Sequence, residues 1–133
     1  MICGGPHVGK STLSRRLATA MGLDHHAIGH GDDLVDVLDW SAASAEMVTW
    51  AEQPGPWIIE GVGGGRVLRK YMAAHPDEKP CDVAYWLTNV FTPLTKKGQE
   101  SMTKGCMTVW IEIAPQLEAL GVEVRTRVDD LRV

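Results

Sequence analysis

The chain carries Gly4-Gly5-Pro6-His7-Val8-Gly9-Lys10-Ser11 near its amino terminus, followed by Thr12. The pattern G-x-x-x-x-G-K-S is the spacing of a loop that wraps a polyphosphate. Its backbone N–H groups can turn toward phosphate oxygens because glycine tolerates left-handed or strained dihedrals. Gly4, Gly5, Val8, Gly9, Lys10, Ser11 and Thr12 are therefore the candidate nucleotide-binding residues. Lys10 would set a point charge between the outer phosphates, and Ser11 would offer a hydroxyl to a magnesium ion. The helix opening at this point adds the positive end of its dipole. A loop of this kind follows a strand and opens an amphipathic helix.

The flanking residues supply that context. Leu13, Leu17 and Met21 recur at helical spacing, Arg15 and Arg16 lie opposite, and Gly22 suits the helix end. Met1-Ile2-Cys3 is short for a central strand, which suggests a start placed late or a very compact protein. A second strand is predicted over 26–30, running into Gly31-Asp32-Asp33. Leu34, Val35 and Leu38 then look helical, with Asp32 or Asp33 as N-cap. Those aspartates read in two ways. They cap a helix, or one of them stands at a strand's carboxyl end and positions or deprotonates an acceptor hydroxyl.

A helix is predicted over 39–53, with Ala43, Met47, Trp50 and Ala51 on one face, and Pro54-Gly55-Pro56 ends it. Trp57-Ile58-Ile59 is a continuous apolar run, as in a strand covered on both faces. It ends in Glu60-Gly61. A carboxylate there, beside a phosphate loop, can hold a magnesium-bound water or orient the attacking group. The catalytic candidates are thus Lys10, Asp32, Asp33 and Glu60, and the metal candidates Ser11 and Glu60.

Gly63-Gly64-Gly65 reads as a turn before a helix over 66–74, whose buried stripe would be Val67, Leu68, Tyr71, Met72 and His75. Arg66, just past the strand end, can meet an acceptor phosphate or other anion; the alternative is a solvated face shared with Arg69 and Lys70. A fourth strand spans 82–88. A helix over 99–120 follows an irregular stretch, with Met107, Trp110, Ile111, Ala114 and Leu117 turned inward. Gly105 weakens this helix and Pro115 kinks it, which allows two shorter helices. A strand over 122–127 and a tail over 129–133 complete the chain.

Composition narrows the function classes. With 133 residues the chain is expected to form one domain, residues 1–133. A net charge of −4 argues against binding nucleic acid through overall basicity, though a local basic patch is still allowed. No apolar run approaches the roughly 18 residues of a membrane helix, and no signal segment opens the chain. Cys3, Cys81 and Cys106 are widely spaced and read as reduced thiols of a cytoplasmic protein. His25, His26 and His30 complete no zinc spacing. Five tryptophans are numerous for this length and suit core or pocket lining.

Strand–helix units in series predict a doubly wound parallel α/β sheet with helices on both faces. Given the glycine-rich octet, Gly31-Asp32-Asp33 and Ile58-Ile59-Glu60-Gly61, the chain resembles the adenylate-kinase-like group of small P-loop kinases. Element order carries the resemblance along nearly the whole chain; only residues 4–12 are highly specific. It implies a five-stranded sheet in the order 2-3-1-4-5. The donor would be ATP or another nucleoside triphosphate with magnesium. A small nucleotide- or nucleoside-type acceptor would sit between the second and third strand ends. Family members usually have an aspartate where this chain has Glu60. Their mobile lid carries arginines, whereas 89–105 here contains none and offers only Lys96, Lys97 and Lys104. Lys97 and Lys104, two helical turns apart, are the candidate lid contacts, although a lysine lacks the bidentate reach of a guanidinium. The alternatives are an NTPase without a small acceptor and a nucleotide-binding module without catalysis. The residues leave base, acceptor and oligomeric state open.

Overall fold

The computed structural model describes residues 1–88, 90 and 92–126. Strands β1 (Ile2–Gly4), β2 (Gly29–His30), β3 (Ile59–Gly61), β4 (Val83–Leu87) and β5 (Glu123–Arg125) form one sheet in the order 2-3-1-4-5. Every pairing is parallel. Helices α1 (Lys10–Met21), α2 (Trp40–Ala51), α3 (Gly64–Ala74) and α4 (Gln99–Ala119) provide the crossovers.

Successive strand residues point to opposite faces and so sort the core into two layers. Cys3, Ile59, Ala84 and Trp86 join Met47 and Ala51 of α2, Val67 and Leu68 of α3, and Ile113 and Leu117 of α4. On the other face Ile2, Ile58 and Leu87 meet Leu13 and Ala18 of α1. Three helices thus cover one face and one the other. Polar contacts tie the triple layer together. Lys70 Nζ donates to Ser44 Oγ of α2 at 2.7 Å, and Arg69 pairs with Glu112 of α4 at 3.0 Å. These two cations, read from the sequence as a solvated face, join helices.

Several elements differ from the sequence reading for local reasons. The Asp24 carboxylate accepts from His26 N at 2.8 Å and draws His25–Ala27 into a 3₁₀ turn, which shortens the predicted 26–30 strand to two residues. The segment Gly31–Asp36 is 3₁₀, with His30 at its N-cap; Asp32 and Asp33 lie in its first turn and neither caps it. Asp39 does cap α2, accepting from Ala42 N at 2.7 Å. Helix α3 begins at Gly64 rather than at 66, because a helix start without a side chain can sit against β1: a Cβ on Gly64 would lie 2.9 Å from Cys3 Sγ.

In α1 the buried set is Lys10, Leu13, Ser14 and Ala18, and Met21 is exposed. Helix α4 is a single helix through Pro115. The carbonyl that a proline at 115 leaves unpaired belongs to Ile111, which is 66 % exposed, so water can take the missing bond. Met107 and Ile111 therefore face solvent, contrary to the inward placement the spacing suggested, and Val109, Trp110, Ile113 and Leu117 are buried. The tail 129–133 and the end of the predicted last strand lie outside the described residues.

Candidate functional site

Residues 4–11 run from the carboxyl end of β1 to the start of α1, so the loop lies on the edge of the sheet where parallel α/β folds take ligands. Gly9 at the N-cap of α1 is left-handed, with φ 87°. His7 is left-handed too, at φ 63°, which is uncommon for a residue with a side chain. It is held there by its ring. Nδ1 lies 3.2 Å and 3.1 Å from the carbonyls of Thr92 and Pro93, and Nε2 lies 3.4 Å from Gln99 Nε2. Gln99 Oε1 in turn accepts from the backbone N–H groups of Thr95 and Lys96. Helix α4 also leans on the loop directly: a Cβ on Gly5 would lie 2.8 Å from Thr103 Oγ1. The segment after β4 is thus fastened to the glycine-rich loop. None of His7, Gln99 or Thr103 was singled out from sequence, since the motif leaves its inner positions free.

The Lys10 side chain is 6 % exposed and folds back so that Nζ donates to Gly5 O at 2.6 Å. Among the described residues it has no carboxylate partner and no other hydrogen bond. Two of its three donors are therefore unused. Those unused donors are hydrogen-bonding capacity that an anion in the loop would take up. Ser11 is exposed at the first turn of α1 and Thr12 half-buried. Val8 packs its side chain into the α1-side core, so only its backbone is available to a ligand.

Glu60 stands directly opposite His30 in the β2–β3 ladder. Parallel pairing sets the two side chains on the same face, and His30 Nδ1 donates to Glu60 Oε1 at 2.8 Å. Glu60 is 2 % exposed. Burial pushes its carboxyl above the usual carboxylate range; the His30 bond pulls it down, the Asp32 charge adds to the rise, and Lys10 opposes it. Lys10, His30, Asp32 and Glu60 therefore form one electrostatic group at the sheet edge. Sequence gave no hint of the His30 partnership, because it depends on strand register across thirty positions.

The two aspartates separate. Asp32 is half-buried and its Oδ1 accepts from Val62 N at 2.8 Å, pinning the turn that leads into α3. Asp33 is exposed and faces an open groove with His25, His26 and His30. Lys97 and Lys104 are exposed. Thr103 contacts the loop, and Lys104 lies about 100° further round the helix, on another side. Lys97 immediately precedes Gly98, the N-cap residue of α4.

Beside the loop, between α3 and α4, lies a cleft of about 300 Å³. Its walls include Cys3, Val62, Arg66, Trp86, Ser101 and Cys106. Burial raises both cleft thiols, Cys3 to about 12, and the smaller influences on Cys106 include Lys10, Arg66 and Asp32. The cleft is thus within electrostatic reach of the Lys10 group. Arg66 is exposed and, among the described residues, unpaired. Cys3, Cys81 and Cys106 are all free. Among the described residues no helix is long and apolar enough to cross a membrane. In comparisons with known proteins, no family model matches the chain, and neither a curated protein nor a solved structure matches it.

Proposed function

We propose that the chain transfers the terminal phosphoryl group of ATP, or another nucleoside triphosphate, to the hydroxyl of a small acceptor, as a P-loop kinase would. One observation carries this reading: the buried Lys10 side chain, directly bonded to no carboxylate among the described residues, sits inside a glycine-rich loop that opens a helix at the carboxyl edge of a parallel sheet. In the transfer, the acceptor oxygen bonds to the terminal phosphorus, and the bridging P–O bond breaks to release the nucleoside diphosphate. The hydroxyl proton leaves to a carboxylate. Asp33, exposed next to the strand end, is better placed to take it than Asp32, whose Oδ1 is committed to the backbone. Lys10 and the loop N–H groups hold the charge on the phosphoryl oxygens, so catalysis is mostly positioning and electrostatics.

The donor set suits magnesium. Ser11 offers an exposed hydroxyl, and Glu60 keeps Oε2 uncommitted after its bond to His30. Magnesium, when bound, would supply neutralising charge at the phosphates. The test is ATP consumption by the wild type and by Lys10→Ala across a library of hydroxyl acceptors. The reading expects one acceptor class to accelerate consumption at least a hundredfold and Lys10→Ala to abolish the acceleration; activity indifferent to Lys10→Ala rejects it.

A second reading, a nucleotide-binding module without turnover, draws support from the lack of arginine over 89–105, where Lys97 and Lys104 are exposed. Tight nucleotide binding with no turnover across the same library would favour it.

A further inference from the structure

We infer that the cleft between α3 and α4 binds a flat apolar ring carrying a single anionic group. That this ligand is the phosphoryl acceptor rests on the function proposed above; its binding chemistry rests on the cleft alone. The volume of about 300 Å³ is at the small end for ligand sites. Most of the lining is apolar. Trp86 is held rigidly, its ring stacked on Trp110 with centroids 5.4 Å apart and planes 7° from parallel. Trp40, 39 % exposed, stands at the mouth, with Met102 and Val109 on the α4 side. The fixed Trp86 indole, with a second indole beside it, favours a flat ring.

The polar lining selects charge. Arg66 is the one charged side chain on the cleft wall among the described residues, and no carboxylate lines it. Gly98, at the amino end of the 21-residue α4, also borders the cleft, so the helix dipole adds to Arg66 there, offset in part by Glu100 in the same first turn. The thiols of Cys3 and Cys106, kept protonated by burial, add no negative charge. A guanidinium on this wall suits a carboxylate or a phosphate monoester equally in kind, because each presents two oxygens to its fork. A cationic ligand finds no carboxylate among the described lining residues and meets the Arg66 charge.

Calorimetric titration of the full chain, without nucleotide, tests this. The probes are 2-naphthoate, 2-naphthyl phosphate and the cation 2-naphthylmethylamine. At least one anionic probe is expected to bind ten times more tightly than the cation, and the preferred anion tells carboxylate from phosphate ester. Arg66→Ala is expected to weaken it tenfold or more. Gly105→Leu fills the cleft from α4; a Cβ at 105 meets nothing within 4 Å, and leucine is the better helix former, so this variant stays folded by circular dichroism while losing the probe. Lys10→Ala is expected to lose ATP and keep the probe. Equal binding of cation and anion, or affinity unchanged in Gly105→Leu, overturns the inference. ATP binding with no probe binding refutes the cleft and spares the proposed function. Probe binding with no ATP binding does the reverse.

Discussion

Replacing Glu60 by glutamine should stabilise the folded chain at alkaline pH while weakening what the site does. Glu60 is 2 % exposed and has one strong bond, from His30 at 2.8 Å. Burying a carboxylate costs several kcal/mol. A charge-assisted hydrogen bond returns about 1.5–3 kcal/mol. The remainder is a net cost on the order of 1–2 kcal/mol, in line with the raised carboxyl. Glutamine has the same shape, and its carbonyl can accept the same bond from His30 without carrying charge.

The pH dependence fixes the sign. The folded chain holds this proton more tightly than the unfolded chain does. Stability is therefore unaffected below the ordinary carboxylate range and is lost as pH rises from there through the raised folded value. Glu60→Gln escapes that loss. Thermal melts of both proteins should coincide near pH 4 and separate at pH 8, with the variant higher by roughly 4–8 °C for a chain of this length. In magnesium-dependent ATP consumption the same variant should be slower, as expected of a site that trades stability for function. A variant less stable than the wild type at pH 8, or equally stabilised at both pH values, would refute the reasoning.

Other substitutions probe the frame. Asp32→Ala removes the acceptor for Val62 N and should cost about 1–2 kcal/mol in denaturant melts, together with acceptor-stimulated activity. Asp39→Ala, which removes the α2 cap, should cost about 1 kcal/mol and leave ATP affinity untouched; a matching loss of affinity would place α2 in the site. Gly5→Ala drives a methyl group into Thr103 and should destabilise by about 1–3 kcal/mol, with Thr103→Ala on the same chain recovering part of it.

The layout of the sheet was legible because each strand–helix unit carries its own period and the glycine-rich octet fixes where the first one turns. Strand order 2-3-1-4-5, implied by the resemblance, is the observed one. Faces were harder to read. In α4 the predicted stripe places Trp110 and Leu117 correctly but includes the exposed Met107 and Ile111 and misses Val109 and Ile113, because only packing against α3 and β5 sets how far the buried face reaches. Nor does periodicity foresee that Asp24 wins His25–Ala27 from a strand. The site divides in the same way. Residues of the octet announce themselves through spacing, whereas His30 reaches Glu60 only through ladder register and His7 reaches Thr92 only through the fold. Arg66 was visible as a cation after a strand end, but the indoles it shares a cleft with come from other elements.

Whether the octet holds a polyphosphate is best decided by titrating magnesium–ATP into the wild type and Lys10→Ala, each shown to be folded. The account predicts saturable binding by the wild type and a loss of at least a hundredfold in Lys10→Ala, equivalent to about 2.7 kcal/mol. Equal affinity in both proteins, or none in either, would contradict it.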